Sequence, residues 1–203
     1  MVWLRRLVTM MLILNLALAV GPAAAGTPTD DLKQTIDEVL DILKNPALKD
    51  QRLERRRLMK QVIDRRFDYE EMAKRSLGVH WRNLSPGQQS EFTRLFAELL
   101  ERSYGDKLDT YRGEKVAYGG EELEGNYAEV RTTVLRPNDK IPMNYSLIKE
   151  SGRWMVYDVT IEGVSLVNNY RGQFQTIIRE SSYSGLVARL RTKVAELRRT
   201  DPI

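Results

Sequence analysis

Residues 127–161 read YAEVRTTVLRPNDKIPMNYSLIKESGRWMVYDVTI, three runs of mixed apolar and polar residues separated by two short turn signals. In the first run Ala128, Val130, Thr132 and Val134 share one face, and in the second Met143, Tyr145 and Leu147 do the same. A period of two is the mark of a half-buried strand, because successive side chains point to opposite faces. RPNDK and ESG supply turn residues, so strands over 127–135, 141–149 and 153–161 should pair as antiparallel neighbours. Upstream, 115–118 reads as a further strand, with GGEELEGN as the turn that follows it. The expectation is a curved antiparallel meander of about four strands.

Outside this block the period changes to that of a helix. Residues 30–43 carry Leu32, Ile36, Val39, Leu40 and Leu43 on one face, and Asn45 with Pro46 should end that helix. Residues 49–66 turn Leu53, Leu58, Val62 and Ile63 inward and leave Arg52, Arg55, Arg56, Arg57, Lys60, Arg65 and Arg66 in water. That basic face is either a solvated surface or one that attracts an anionic partner or anionic lipid headgroups. Phe67, Tyr69, Met72, Ala73 and Leu77 mark a third helix, with Gly78 at its C-cap. Ser85, Pro86 and Gln88 form a capping box with proline at the first helical position, and the stripe Phe92, Leu95, Phe96, Leu99 and Leu100 follows. After the strands, Ser165 can cap a helix with Leu166, Tyr170, Phe174, Ile177 and Ile178 on its apolar face. Gly172 weakens it and suggests close packing or a bend. A last helix spans 186–197, and the RRTDPI end should fray. The fold class is α+β, with helices against one side of the sheet.

The 203 residues, 42% hydrophobic and 30% charged, suit one domain with a substantial core. Arg5 and Arg6 precede the apolar run LVTMMLILNLALAV over 7–20, and GPAAAG then offers small residues at Ala23 and Ala25. This reads as a signal peptide over 1–25 ahead of a single domain over 26–203. As a helix the 14-residue run would reach about 21 Å, short of the roughly 30 Å of a bilayer's hydrocarbon. The formal charge is +4, and loss of Arg5 and Arg6 would bring the chain nearer neutrality, which argues against nucleic acid as a partner.

The absence of Cys excludes disulfides, thiolate nucleophiles and a lipid-modified cysteine, and a single histidine, His80, leaves multi-histidine metal sites without material. His80 beside Trp81 reads as a structural hydrogen-bonding group. Gly119 and Gly120 lack the Lys-Ser/Thr context of a phosphate loop. Asp158 and Glu162 interrupt an apolar run and could be a carboxylate pair for glycosidic chemistry, or a structural acid followed by a loop residue. No cofactor, metal site or catalytic set is expected. The apolar faces could share one sealed core, or the helices could stand off from the sheet around a cavity lined by Val130, Val134, Met143, Tyr145, Leu147, Phe92, Phe96 and Phe174. Periodicity does not separate the two.

Residues 66–104, RFDYEEMAKRSLGVHWRNLSPGQQSEFTRLFAELLERSY, and 154–178, WMVYDVTIEGVSLVNNYRGQFQTII, strongly resemble the MlaC family, the toluene-tolerance auxiliary proteins. The specific parts are Arg66-Phe67, Met72-Ala73, Leu77-Gly78, Trp81-Arg82, Ser85-Pro86 and the block 156–174, and the likeness runs from about 30 to 197. The resemblance implies a cystatin-like or nuclear-transport-factor-like fold that buries phospholipid tails between helices and sheet. It implies a monomeric carrier in the periplasm of Gram-negative bacteria that exchanges lipid with an inner-membrane ABC transporter complex and an outer-membrane lipoprotein-porin complex, maintaining outer-membrane lipid asymmetry. Projecting the apolar pattern onto that architecture places lipid contacts at Val130, Val134, Met143, Tyr145 and Leu147, with Phe96, Leu166, Tyr170 and Phe174 as helical walls. Arg66 and Asp158 are expected to stabilise the structure. A protein-binding adaptor using the same apolar groove, and a hydrolase using the concave site, are the competing functions.

Overall fold

The computed structural model describes residues 26–200, so the signal-peptide reading of 1–25 lies outside the described residues. The described strands form one open antiparallel sheet in sequential order, β1 (Lys115–Glu124), β2 (Tyr127–Arg136), β3 (Asp139–Glu150), β4 (Arg153–Ile161) and β5 (Val164–Ser165). Five strands replace the expected four because the Glu162-Gly163 turn folds Val164 and Ser165 back onto Ile161 and Thr160. Both turn residues have positive φ, 50° and 83°, as a tight two-residue hairpin requires.

β1 also runs further than 115–118. Gly119 and Gly120 lie inside the strand, because the register slips between Tyr118 and Glu121 and both glycines oppose the single residue Arg131. Gly120, at φ 101°, takes the conformation that this bulge needs. An extra residue reverses which face later side chains occupy. Tyr118 and Glu121 therefore both oppose the inward residues of β2, Thr132 and Val130. Glu121 then accepts the Thr29 N–H at 2.8 Å and the Thr29 hydroxyl at 2.6 Å, an anion placed at a helix N-terminus. β4 repeats the device. Leu147 pairs with Val156 and Ser146 with Asp158, leaving Tyr157 as the extra residue. Trp154 and Val156 face the helices before the bulge, and Val159 and Ile161 do so after it.

The helices are α1 (Pro28–Lys44), α2 (Arg52–Asp64), α3 (Tyr69–Leu77), α4 (Pro86–Asp109) and α5 (Leu166–Thr200). Ser85 and Gln88 close the expected capping box at the head of α4. α2 is shorter than 49–66, and Leu53, read as inward, is 57% exposed in its first turn. Val62 is buried as read, but Arg56, read as lying in water, is buried with it and Met59, since a helix beginning at Arg52 turns those positions toward α1 and α4. α5 extends to Thr200, so 198–200 are helical where fraying was expected. It consists of two helical segments that meet at Ser181 and Ser182, where the dihedrals leave helical values, so the separate last helix read over 186–197 is present. Gly172 faces open space, with no atom within 4 Å of a Cβ placed there, and accounts for neither packing nor bend.

Two buried clusters result among the described residues. One is helical, with Phe92 and Phe96 of α4 packed edge-on against Phe174 of α5 at 5.5 Å. The other belongs to the sheet and α1, with Leu32, Val130, Leu147, Trp154 and Val156 at its centre. Phe67 packs against both. The Arg66 guanidinium fastens the second cluster, donating to Trp154 O at 2.7 Å, Asp31 Oδ2 at 3.0 Å and Thr35 Oγ1 at 3.0 Å. That satisfies the expectation of a structural role for Arg66, since a half-buried cation is held by three acceptors.

Candidate functional site

The two clusters do not fuse, and the seam between them holds a cavity of about 290 Å³. Each wall has a local cause. α1 contributes Leu32, Ile36 and Val39, three and four residues apart and hence on one face. α2 contributes Met59 and Ile63, and Phe67 follows it. Alternation along β3 turns Met143 and Tyr145 inward, and the β4 bulge brings Val159 and Ile161 onto the same face. Leu100, Tyr104 and Leu108 of α4, with Leu166 at the start of α5, complete the wall.

The polar lining is gathered where α2 meets the C-terminal half of α4. The Lys60 ammonium lies 2.8 Å from Asp64 and 3.5 Å from Glu101, so one cation ties the two helices beside the cavity. Burial disfavours the Lys60 ammonium, but the Asp64 hydrogen bond and the charges of Glu101 and Asp64 outweigh it and raise its pKa. Burial, reinforced by the same two carboxylates, pushes the Tyr69 phenol up. Deeper in the cavity, the Tyr145 hydroxyl donates to Met143 Sδ at 3.0 Å, and burial first, then the nearby Tyr118, pushes its phenol up. Both phenols are therefore neutral donors. Such a lining solvates hydrocarbon over most of its area and meets water at one charged end.

Neither of the catalytic alternatives is assembled here. His80 sits in the 3-10 turn Gly78–Asn83 and is not among the cavity residues. Asp158, 8% exposed, accepts the N–H groups of Val159 at 2.8 Å and Val167 at 3.0 Å and the Ser165 hydroxyl, while Glu162 is exposed in the β4–β5 turn. One carboxylate is thus committed to holding the start of α5, and the other faces solvent, which agrees with a structural acid and a loop residue rather than a glycosidic pair. Among the described residues no group of three or more His, Cys, Asp or Glu could hold a metal ion, and no helix is long and apolar enough to cross a membrane.

Of the residues projected as lipid contacts, Met143, Tyr145 and Leu166 line this cavity. Phe96, Tyr170 and Phe174 do not; they pack on one another in the helical cluster, with Phe96 edge-on to Tyr170 at 5.2 Å. Val130 and Leu147 are fully buried in the sheet cluster, behind the cavity rather than on its surface. Val134 pairs with Val116 and Ile141 toward the far end of β2, away from the lining. The faces that the projection missed are those of α1 and α2. Their apolar stripe is readable in the sequence, but the partner that it turns toward is set by tertiary packing.

Comparison with known proteins agrees with this architecture. A sequence model of the MlaC protein family matches residues 33–192. The chain is 24% identical over 126 residues to the intermembrane phospholipid transport system binding protein MlaC of Haemophilus influenzae, a match covering 59% of each chain, so it spans less than two thirds of that relative's length. It is 27% identical over 171 residues to the toluene tolerance protein ttg2D of Pseudomonas putida, covering 81% of this chain and 79% of the relative. Among solved structures, the phospholipid-binding protein from Ralstonia solanacearum in complex with a phospholipid superposes with a TM-score of 0.77 at 29% identity, covering 86% of this chain and 99% of that one. The family match covers most of the described domain and the fold agrees with a related structure, so the chain belongs to the MlaC family.

Proposed function

We propose that this protein is a phospholipid carrier that houses acyl chain in the seam between its two cores. The observation that carries the reading is the cavity itself, walled by hydrocarbon from α1, α2, α4, β3 and β4 and bordered at one end by Lys60 and Glu101. Its support is the phospholipid in the related Ralstonia structure and the likeness to the intermembrane phospholipid transport system binding protein of Haemophilus influenzae. Burying a chain methylene is worth about 0.8 kcal/mol, so one 16-carbon tail represents roughly 12 kcal/mol before the costs of ordering it. Lipid is then held firmly in water, and release needs a competing apolar environment at an acceptor. The protein works in the periplasm after export by its leader, and exchanges lipid with an inner-membrane ABC transporter complex and an outer-membrane lipoprotein-porin complex to maintain outer-membrane lipid asymmetry. Its work is transfer rather than catalysis.

The test is uptake. Protein stripped of lipid and incubated with phospholipid vesicles should show a phospholipid adduct by native mass spectrometry, and Met143→Glu, which sets a charge in the cavity wall, should reduce the adduct while circular dichroism stays unchanged. A folded wild-type protein that takes up no lipid would favour the adaptor reading, in which the same apolar surface receives a protein segment.

A further inference from the structure

We propose that the cleft between the α3 C-terminus and the start of α5 is a second binding site, one that receives an acidic segment of a partner protein through Arg82 and Arg171. This goes beyond lipid carriage, because the cleft lies on the opposite face of the sheet. Ser146 and Thr160 line it, whereas their neighbours Tyr145, Val159 and Ile161 line the lipid cavity, and alternate strand residues face opposite sides. The cleft has a volume of about 620 Å³.

Its charge is only partly compensated. Lys74, Arg75, Arg82 and Arg171 line it, with Asp158 as its acid. Asp158 is committed to the Val159 and Val167 N–H groups and the Ser165 hydroxyl. Lys74 and Arg75 share Glu71, each at 2.8 Å, and the Arg75 guanidinium also lies 3.9 Å over the Tyr157 ring. Arg82 and Arg171 are exposed and have no carboxylate partner among the described residues. The Arg171 guanidinium lies against Gly78, where an added Cβ would stand 3.3 Å from Nη2, so the lack of a side chain at φ +57° leaves room for it in the cleft. Val79, 69% exposed, adds an apolar contact at the rim.

The occupant follows from shape and charge. Two unpaired guanidiniums suit carboxylates, which they bind in a bidentate fork. The volume exceeds what a free inorganic anion fills, and a concave site between two helix ends admits a chain segment better than a flat bilayer surface. An exposed valine beside the cations suits a segment that carries an apolar residue among its acids.

Titration of isotopically labelled protein with a hexaglutamate peptide, followed by NMR, tests this. The expected result is saturable perturbation of amides 78–82 and 168–171, at least tenfold tighter than with inorganic phosphate. The Arg82→Gln/Arg171→Gln double variant should weaken it at least tenfold and keep its phospholipid load. Perturbation centred on the α2 arginines, equal affinity in the double variant, or equal affinity for inorganic phosphate would overturn the proposal. So would tighter engagement of the same amides by phosphatidylglycerol vesicles, which would make the cleft a membrane contact instead.

Discussion

The carboxylate of Asp158 holds two N–H groups and a hydroxyl at the junction of β4, β5 and α5. Hydrogen bonds to an ionised group contribute about 1.5–3 kcal/mol each in mutational series. Asp158→Ala should therefore lower unfolding free energy by about 3 kcal/mol in urea titration, since it leaves buried donors unpaired. Gly172 offers the opposite case. It is helical, open to solvent and free of neighbours at the Cβ position, so Gly172→Ala should raise stability by about 0.5–1 kcal/mol in the same assay. Gly185 forbids that change, because a Cβ there would fall 2.5 Å from Ser181 Oγ. The sequence marks Asp158 and Gly172 as unusual, yet their consequences depend on how their elements pack. Asp158 could be suspected of a structural role from its apolar surroundings. Nothing near Gly172 in sequence shows that its helix face is solvent.

At the scale of elements, α4 is the best read and β1 the worst, while β4 has the bounds read from the sequence, 153–161, but hides a bulge. The α4 cap and stripe are local signals, and all five stripe residues are buried. The two bulges are not local, because a strand reads as alternating only if its register is continuous. The slip at Tyr157 hid the turn of Val159 and Ile161 toward the cavity, and the Gly119-Gly120 pair resembled a turn because a bulge uses the same backbone freedom. α4 also supplies a pH-dependent clamp. Glu98 accepts Arg198 at 2.6 Å and Arg102 at 2.9 Å, and the Arg198 hydrogen bond, opposed by burial and helped by Arg102, lowers its pKa below 4.5. A depressed carboxylate stabilises the fold above its unfolded pKa and loses that contribution as pH falls through the folded value. Glu98→Gln should accordingly lower stability by a constant amount above about pH 4.5 and flatten its fall on acidification, measured by thermal melts from acid to neutral pH. A third contrast separates wall from core. Phe96→Ala removes a fully buried ring outside the cavity and should cost about 3–5 kcal/mol while lipid still binds, whereas Met143→Glu should lose lipid first.

For the whole molecule, the decisive feature is that sheet and helices each complete a core of their own and leave a seam. The sequence carried the components, an alternating block and several amphipathic helices, and the resemblance over 66–104 and 154–178 carried the family. Whether apolar faces seal or stand apart is a matter of relative placement. Three projected contacts, Met143, Tyr145 and Leu166, line the seam, and six are elsewhere, because a helix stripe such as Phe96, Tyr170 and Phe174 can be satisfied by another helix. Lipid carriage as proposed requires that acyl chain occupy this seam. The most direct measurement is photocrosslinking with a phospholipid that carries a diazirine at the end of one tail, followed by peptide mapping. Labels should fall on the peptides that contain Ile36, Met59, Met143 and Val159. Labels concentrated on Val134, or scattered over the exposed surface, would contradict it.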